Sequence, residues 1–244
     1  MNVRGLTLAL QFLTRLPTPQ VEDFRAEDLS RSADWFPLVG LLIGGCVAAG
    51  VWAGGHGTPW IGALAGLVIW VWITGALHID GLGDVADALA AAHRTPERFL
   101  EVLRDPHIGA FGAIAIVLLL MAKLVLLAEI SHSSTLVALV LVPAWARWGT
   151  LVWSSTVPPL ASGTGERFSW RISQLSTIAQ GIGLALLSIW LAPALLSALI
   201  VVPALSLYWR MRLGGITGDC LGASVEVTEA LLLVGVVLAA SKTL

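Results

Sequence analysis

Long apolar runs alternate along this chain with short polar segments, and several of the runs are as long as a lipid bilayer is thick. A helix that crosses the hydrocarbon core needs about 20 mostly apolar residues. Runs of that kind cover residues 35–54, 59–77, 111–130, 135–155 and 225–241. The run 177–208 is too long for one span, and Pro193 near its middle favours a break into two. The sequence therefore predicts seven spans, or six if the chain does not turn at Pro193.

The first residues show a different apolar pattern. Leu6, Leu10, Leu13 and Leu16 are spaced three or four residues apart, which places them on one face of a helix. Such a face lies in the membrane interface or docks on the spans. We therefore predict an amphipathic N-terminal helix before the first span.

Composition supports a membrane protein. Hydrophobic residues make up 57% of the 244 residues, charged residues make up only 12%, and the mean hydropathy is +0.84. Soluble domains have about 25% charged residues, so this chain has too few polar groups to cover a surface that faces water. The predicted fold class is all-α, a polytopic membrane helix bundle in which residues 1–244 form a single integral-membrane domain.

Charge and cysteine content exclude two other classes. Fourteen basic residues against sixteen acidic ones give a net charge of −2, so no overall basic field indicates nucleic-acid binding. Cys46 and Cys220 are the two cysteines, and they are too few and too far apart for a disulfide framework or a thiolate zinc site. We expect a lipid bilayer as the surroundings and no nucleic acid as a partner.

The basic residues lie in alternate connections between the predicted spans. The connections near His56, residues 131–134 and Pro193 carry none. Basic loops stay in the cytoplasm, so segments 78–109, 156–176 and 210–224 and the N-terminus should be cytoplasmic, with the C-terminus outside. Eleven of the fourteen basic residues support this orientation: Arg4, Arg15, Arg25, Arg31, Arg94, Arg98, Arg104, Arg167, Arg171, Arg210 and Arg212.

Three aspartates follow the second predicted span. Asp80, Asp84 and Asp87 stand at positions i, i+4 and i+7, which places them on one face of a helix. Like charges this close repel each other unless a cation lies between them. Mg²⁺ takes oxygen ligands and commonly bridges a few carboxylates to substrate phosphates, so we predict a Mg²⁺ site. The alternative is a solvated acidic turn.

Two further clusters should reach the same edge of the membrane. Asp105 precedes the third span, where an acid would also favour the helix dipole without any role in a site. Asp219 opens the last span and follows a glycine-rich loop whose backbone N–H groups could approach an anion. Glu226 lies seven residues after Asp219, as Asp87 does after Asp80. The loop residues predicted to bind substrate are Gly214, Gly215, Thr217 and Gly218.

Two cations lie inside predicted spans. Ionisable residues at such depth are usually functional or paired. Arg147, between Trp145 and Trp148, could contact a phosphate through two parallel hydrogen bonds. For Lys123 and for Arg147 an internal ion pair is the alternative. His78 and His107 stand close to the acids as metal ligands or as hydrogen-bonding neighbours.

Four separated motifs resemble one known family. They cover residues 9–17 (ALQFLTRLP), 75–87 (GALHIDGLGDVAD), 108–112 (IGAFG) and 213–219 (LGGITGD). In this order they resemble the cobalamin synthases, also called adenosylcobinamide-GDP ribazoletransferases. The chain departs from the family pattern at His107, where arginine is frequent, and at Cys220, where threonine is common.

The resemblance implies a multi-spanning enzyme of the bacterial inner membrane that uses Mg²⁺. The distribution of basic residues predicts that its active site faces the cytoplasm. The substrates that the resemblance implies are a corrinoid nucleotide, adenosylcobinamide-GDP, and α-ribazole or its 5′-phosphate, which are joined with release of GMP. By motif position, the family's metal-binding acids correspond to Asp80, Asp84, Asp87, Asp105 and Asp219.

The expected catalytic residues combine both lines of reasoning. Phosphoryl transfer depends mainly on positioning and on neutralising charge. Mg²⁺ would be held by the face of Asp80, Asp84 and Asp87, and Asp105 or Asp219 would complete its shell. The residues expected to take part in catalysis or to contact the substrate are Asp84, Asp105, Asp219, Arg147, His107 and the glycine-rich loop.

Two other classes of membrane protein are alternatives to this function. A CDP-alcohol phosphotransferase also has aspartates at a membrane edge, but it has Ala-Arg soon after Asp-Gly, whereas Asp80-Gly81 is followed here by Leu-Gly-Asp. A cation-coupled transporter would place its acids near the bilayer midplane, whereas these acids gather at one edge. The sequence leaves both a monomer and a homo-oligomer open.

Overall fold

The computed structural model describes residues 3–21, 26–91, 95–131, 134–160 and 172–241, and regular structure in these ranges is helical throughout. This confirms the all-α prediction. Short 3₁₀ turns lie at Ala33–Trp35, Ser134–Val137 and Pro193–Ser197, each directly before an α-helix. The α-helices are α1 Val3–Leu13, α2 Ala26–Ser32, α3 Phe36–Gly55, α4 Pro59–Thr74, α5 Leu77–Ala91, α6 Pro96–Val102, α7 Ala110–Ser131, α8 Ala138–Thr156, α9 Gln174–Leu191, α10 Ala198–Arg212 and α11 Gly218–Ala240.

Five of the described helical segments are long and apolar enough to cross a membrane: Ser30–Gly55, Ala110–Ser131, Gln174–Leu191, Pro193–Arg212 and Gly218–Ala240. A sixth candidate is the pair α4 and α5, which is bent by 86°. Apolar side chains such as Trp190 and Ile200 point outward along these helices, as expected of surfaces that meet lipid. The structure therefore agrees with a polytopic membrane bundle.

Helix α8 corresponds to the predicted span 135–155 but is less apolar than the five candidates. Its 19 residues would extend about 28 Å, enough to cross the hydrocarbon core. Nearly all of its side chains are buried, including Trp145 and Trp153, because α3, α9, α10 and α11 pack around it. A helix enclosed by protein can carry polar side chains that a helix facing lipid cannot, because neighbouring helices supply their partners.

The apolar run 177–208 does reverse direction at Pro193. Successive residues of α8 hydrogen-bond to residues of decreasing number in α9 and of increasing number in α10. Helix α9 is therefore antiparallel to α8, and α10 is parallel to it. The hydrogen bonds that show this join Trp145 Nε1 to Ser188 Oγ (2.9 Å), Trp148 Nε1 to the Thr177 carbonyl (2.8 Å), Trp153 Nε1 to the Val202 carbonyl (2.9 Å) and the hydroxyls of Thr156 and Ser206 (3.1 Å). The apolar run therefore forms two helices, as the seven-span prediction has it, and not the single helix of the six-span alternative.

The N-terminal helix α1 docks on the bundle. Leu8, Ala9 and Leu13 are its buried apolar side chains, and the Phe12 ring stacks on Phe36 of α3 at 5.8 Å. The helix is amphipathic, as predicted, but it ends at Leu13, before the last leucine of the predicted face.

A sharp bend separates α4 from α5. The predicted span 59–77 ends earlier, at Thr74. Gly75 and Ala76 both adopt left-handed backbone angles, with φ of +60° and +58°. Such angles are costly for a residue with a Cβ, so Ala76 stores strain that the packing of both helices must offset. The bend turns α5, which carries the aspartates, across the direction of α4.

Candidate active site

The backbones of α5 and α11 come into close contact. A Cβ added at Gly81 would lie 3.0 Å from the Asp219 carbonyl oxygen, and one added at Gly222 would lie 3.3 Å from His78 Cα. Both distances are shorter than most contacts of a Cβ atom, so a side chain at either position would require the neighbouring helix to shift by a few tenths of an ångström. The glycines of the two motifs therefore serve to bring the acids of α5 beside the start of α11.

This contact places acidic side chains from two helices in one electrostatic neighbourhood. The Asp84 carboxylate experiences the negative charges of Asp80, Asp219 and Asp87, and Asp219 experiences that of Asp80. Asp80 is exposed, while Asp84 and Asp219 are half-buried. None of the charged groups that act most strongly on Asp84 is a cation. The arrangement concentrates negative charge at a surface that a ligand can reach.

Asp87 makes specific contacts at the start of α7. Its carboxylate accepts hydrogen bonds from the backbone N–H groups of Gly109 (2.7 Å) and Gly112 (2.9 Å). Free N–H groups at a helix N-terminus are commonly capped by an acidic side chain. Asp87 thus ties α5 to α7, a structural task that its place on the acidic face did not reveal.

Asp105 and His107 lie together in the exposed segment between α6 and α7. The Asp105 carboxylate accepts hydrogen bonds from the backbone N–H of His107 (3.0 Å) and pairs with its Nδ1 (2.7 Å). These hydrogen bonds hold the pKa of Asp105 below its usual value. Among the described residues, the Asp105 carboxylate hydrogen-bonds to His107, and the acids whose charges act most strongly on Asp84 are Asp80, Asp219 and Asp87.

The glycine-rich loop before α11 is held in its middle and open at both ends. The Ile216 N–H donates to the Pro158 carbonyl (2.9 Å), and the Thr217 hydroxyl caps α11 by accepting from the Cys220 N–H (3.3 Å). A Cβ at Gly215 would meet the backbone of residues 158–160, whereas one at Gly214 or Gly218 would meet open space. Gly214 and Gly218 are therefore the loop positions available to a ligand.

Behind the aspartates lies a buried group of charged side chains. Lys123 Nζ of α7 lies 2.6 Å from a Glu226 oxygen and 2.5 Å from a Glu229 oxygen, both on α11. The same ammonium lies 4.3 Å from the centre of the Trp70 ring of α4, close enough for a cation–π contact. Burial of a charge is costly unless it is paired, and here one lysine satisfies two carboxylates.

Arg147 belongs to the same buried group. It forms an ion pair with Glu229, and its Nη2 lies 3.3 Å from His78 Nδ1. Arginine has no acceptor, so Arg147 donates this hydrogen bond and His78 Nδ1 accepts it. The Arg147 side chain is 0% exposed, so it does not reach the surface where the aspartates lie. The structure places it in the internal ion pair that the sequence left open as the alternative to phosphate contact.

Sequence reasoning did not single out Glu229. It stands three residues after Glu226 in an otherwise apolar span, and two cations had already been found inside other spans. Buried cations need anionic partners, so the two glutamates could have been assigned to Lys123 and Arg147. Together with two residues that contact the cations, these four charged residues form what we call the buried charge network: Lys123, Arg147, Glu226, Glu229, His78 and Trp70.

The acidic group of Asp80, Asp84 and Asp219 suits Mg²⁺ by its chemistry. Among the described residues, no three acidic, histidine or cysteine side chains already converge closely enough to hold a metal ion by themselves. Mg²⁺ normally keeps several waters and takes one or two carboxylates plus substrate phosphates. Asp80, Asp84 and Asp219 supply hard oxygen donors and uncompensated negative charge, so their chemistry fits an ion that arrives with a phosphorylated ligand.

Comparisons with known proteins identify the family of the chain. Residues 5–237 match the family described as cobalamin-5-phosphate synthase. The chain belongs to this family. The match includes the α4–α5 bend, both acid-bearing helices and the glycine-rich loop. It gives no support to a CDP-alcohol phosphotransferase or a transporter.

Curated relatives match over nearly their whole length. The chain is 50% identical to the adenosylcobinamide-GDP ribazoletransferase of Thiobacillus denitrificans over 243 residues, which are 98% of each chain. It is 54% identical to that of Laribacter hongkongensis over 242 residues, covering 96% of this chain and 97% of the relative. For Novosphingobium aromaticivorans the values are 48% over 241 residues and 96% of each chain. No solved structure matches the chain significantly.

Proposed function

We propose that this chain is a Mg²⁺-dependent adenosylcobinamide-GDP ribazoletransferase. It would transfer the cobinamide phosphate of adenosylcobinamide-GDP to α-ribazole or its 5′-phosphate and release GMP. The observation that carries this proposal is the contact of α5 with α11, which gathers Asp80, Asp84 and Asp219 at one accessible surface. Membership of the family supports the reaction that we propose, and the cluster of acids supports the surface at which it would occur.

Asp84 and one of Asp80 and Asp219 would hold the metal, because Mg²⁺ usually takes one or two protein carboxylates. Bound there, Mg²⁺ would neutralise the charge of the diphosphate and of the phosphoryl group in transfer. Asp87 would contribute less, because both of its oxygens already accept hydrogen bonds from α7. The exposed Gly214 and Gly218 would let the substrate approach the backbone of the loop before α11.

The transfer itself needs one proton acceptor and one leaving group. A ribose hydroxyl of α-ribazole attacks the phosphorus that carries cobinamide, and a new oxygen–phosphorus bond forms. The bond from that phosphorus to the bridging oxygen breaks, and GMP leaves with the oxygen. A carboxylate of the acidic group that does not hold the metal accepts the hydroxyl proton. One phosphorus–oxygen bond forms, one breaks and one proton moves, so no oxidant or reductant is required.

The buried charge network would act by position and not by contact with substrate. His78 lies two residues before Asp80 on α5, and Arg147 anchors it to α8. Glu229 joins Arg147 to α11, which also carries Asp219. Catalysis depends on sub-ångström placement of the reacting groups, and this network fixes the two acid-bearing helices against one support.

The acidic surface would face the cytoplasm of the bacterial inner membrane. Arg98 and Arg104, which follow α5 in sequence, and Arg210 and Arg212, which precede α11, lie on the side that the positive-inside rule assigns to the cytoplasm. The water-soluble nucleotide substrate would reach Asp80 and Asp219 from that side.

Turnover by the purified protein tests the proposal directly. The protein is reconstituted in lipid nanodiscs with adenosylcobinamide-GDP, α-ribazole and Mg²⁺, and GMP and the new corrinoid are separated by chromatography. Equal amounts of the two products are expected from the wild type, and neither is expected from Asp84→Asn or in the presence of EDTA. GMP release without a new corrinoid would indicate a hydrolase, and turnover in EDTA would remove the metal from the mechanism.

A further inference from the structure

A polar groove lies outside the acidic group, in the segment that follows α1. It has a volume of about 440 Å³, and most of its lining is polar: Gln11, Thr14, Arg15, Thr18 and Gln20. Pockets of about 300–1,000 Å³ hold small-molecule ligands. We call it the N-terminal groove. Nothing in the reaction described above uses these residues.

The groove is a built feature and not a loose loop. Gln11 Nε2 donates to the Pro19 carbonyl (2.7 Å), which closes the segment back on α1. The Thr14 hydroxyl donates to the Leu10 carbonyl (2.7 Å) and accepts from the Leu16 N–H (3.3 Å). Among the described residues, the side chains of Arg15, Thr18 and Gln20 have no hydrogen-bond partner that would keep them from a ligand.

The groove is attached to the bend that aims α5. The Arg15 N–H donates to the Ile73 carbonyl (2.7 Å), and the Arg15 side chain packs so closely on Gly75 that a Cβ there would collide with its Nε. Asp80 follows in the first turn of α5, where its N–H donates to the Ala76 carbonyl (2.9 Å). Asp80 lies five residues after Gly75, which sets an upper limit of about 18 Å between their Cα atoms.

Arg15 gives the groove an affinity for anions. Its side chain is exposed, and no ion pair joins it to an acid among the described residues. A guanidinium matches the geometry of a phosphate and binds it through parallel hydrogen bonds. The amides of Gln11 and Gln20 and the hydroxyl of Thr18 can each donate and accept, as the base and the ribose of a nucleotide require.

We propose that the N-terminal groove is the subsite for the nucleotide half of the diphosphate substrate. Arg15 contacts the phosphate of the leaving nucleotide, and Gln11, Thr18 and Gln20 contact its ribose or base. The phosphorus under attack then lies at the aspartates, with the leaving group directed toward the α4–α5 bend. This assignment rests on the proposed function and adds a place for the nucleotide to it.

Binding of GMP to the purified protein in nanodiscs tests the subsite. Loss of a charge-assisted hydrogen bond commonly weakens binding ten- to hundredfold, so Arg15→Ala should raise the Kd for GMP by that factor. Gln20→Ala should raise it severalfold. Arg98→Ala removes one exposed positive charge elsewhere and should leave the Kd unchanged. In turnover, Arg15→Ala should raise the KM for the diphosphate substrate and leave the KM for α-ribazole within about twofold of wild type.

The same variants separate the subsite from its rivals. An anionic headgroup could also bind Arg15, so nanodiscs of phosphatidylcholine are compared with nanodiscs that contain phosphatidylglycerol. If the Kd for GMP is the same in wild type, Arg15→Ala and Gln20→Ala, the proposal is overturned, and a change confined to phosphatidylglycerol assigns Arg15 to lipid. Wild-type turnover reports on the proposed function separately, because an active wild type with unchanged variants sinks only the subsite.

Discussion

His78 accepts a hydrogen bond from Arg147 across 3.3 Å, and this contact joins the helix that carries the aspartates to the most enclosed helix of the bundle. Glu229 of α11 pairs with the same arginine. One buried guanidinium thus serves both helices that form the acidic surface. Arg147 therefore connects both acid-bearing helices to the core of the bundle.

The role of Arg147 as a positioning residue predicts the behaviour of Arg147→Lys. Lysine keeps the charge and can pair with Glu229, but it lacks the planar fork needed to serve His78 as well. Expression and melting temperature should stay close to wild type, while kcat falls about ten- to hundredfold because α5 loses an anchor. Steady-state kinetics provide the measurement. A large rise in KM for the diphosphate substrate at unchanged kcat would instead show direct contact with substrate.

Charge balance in the buried network predicts a rescue. Arg147→Met leaves two buried glutamates with only Lys123, and breaking a buried ion pair costs about 3–5 kcal/mol. The double variant Arg147→Met/Glu229→Gln leaves the pair of Lys123 with Glu226 intact and should recover most of that loss. Thermal melting in detergent compares the two. If the double variant is no more stable than the single one, the ion pair is not what stabilises this region.

The acidic group predicts opposite effects of Asp84→Asn on activity and on stability. The substitution preserves shape but removes a metal ligand, so turnover should fall by several orders of magnitude. Stability without metal should hold or rise slightly, because Asp84 lies among like charges. Added Mg²⁺ should raise the melting temperature of the wild type by mass action and that of the variant far less. Near-normal turnover would end the metal-site hypothesis.

Close packing of α5 on α11 predicts that Gly81→Ala is harmful. The added Cβ would lie 3.0 Å from the Asp219 carbonyl oxygen, so α11 must shift by a few tenths of an ångström and change the position of Asp219 relative to the acids of α5. Turnover should fall at least tenfold. Gly45→Ala is the matched control, because a Cβ at Gly45 of α3 has no atom within 4 Å and alanine favours a helix. Equal activity of both variants would mean that the helix contact does not position the site.

Capping by Asp87 predicts a loss of stability. Asp87→Ala removes the acceptor for the N–H groups of Gly109 and Gly112, and loss of a helix cap costs about 0.5–2 kcal/mol. The melting temperature should fall even in EDTA, in contrast to Asp84→Asn. A variant that keeps its stability in EDTA but loses its response to Mg²⁺ would move Asp87 from the scaffold into the metal site.

The orientation of the bundle is tested by labelling cysteines in intact cells. On a background of Cys46→Ser and Cys220→Ser, Arg98→Cys and Arg212→Cys should resist an impermeant thiol reagent because both would face the cytoplasm. His56→Cys, in the exposed turn between α3 and α4, should react. Labelling at Arg98→Cys or Arg212→Cys would contradict the predicted orientation. Arg167, in the same predicted cytoplasmic set, lies outside the described residues.

The sequence by itself predicted most of the spanning helices, favoured the reversal at Pro193 and placed Asp80, Asp84 and Asp87 on one helical face, because hydrophobic runs and i, i+4, i+7 spacings are local properties of the chain. It also determined the family, through motifs that are contiguous in sequence. Only the tertiary structure decided which distant residues meet. Arg147 and Glu229 are 82 residues apart and Lys123 and Glu226 are 103 apart, and no local pattern encodes such a pairing.

For the same reason, only the tertiary structure distinguishes the roles of aspartates that have similar positions in the sequence pattern. Asp80, Asp84 and Asp87 share one helical face in the sequence, yet Asp87 caps α7 while Asp84 lies in the acidic group with Asp219. Local spacing sets the face on which a side chain lies. The helix that packs against that face sets what the side chain does, and that depends on close backbone contacts such as Gly81 with Asp219.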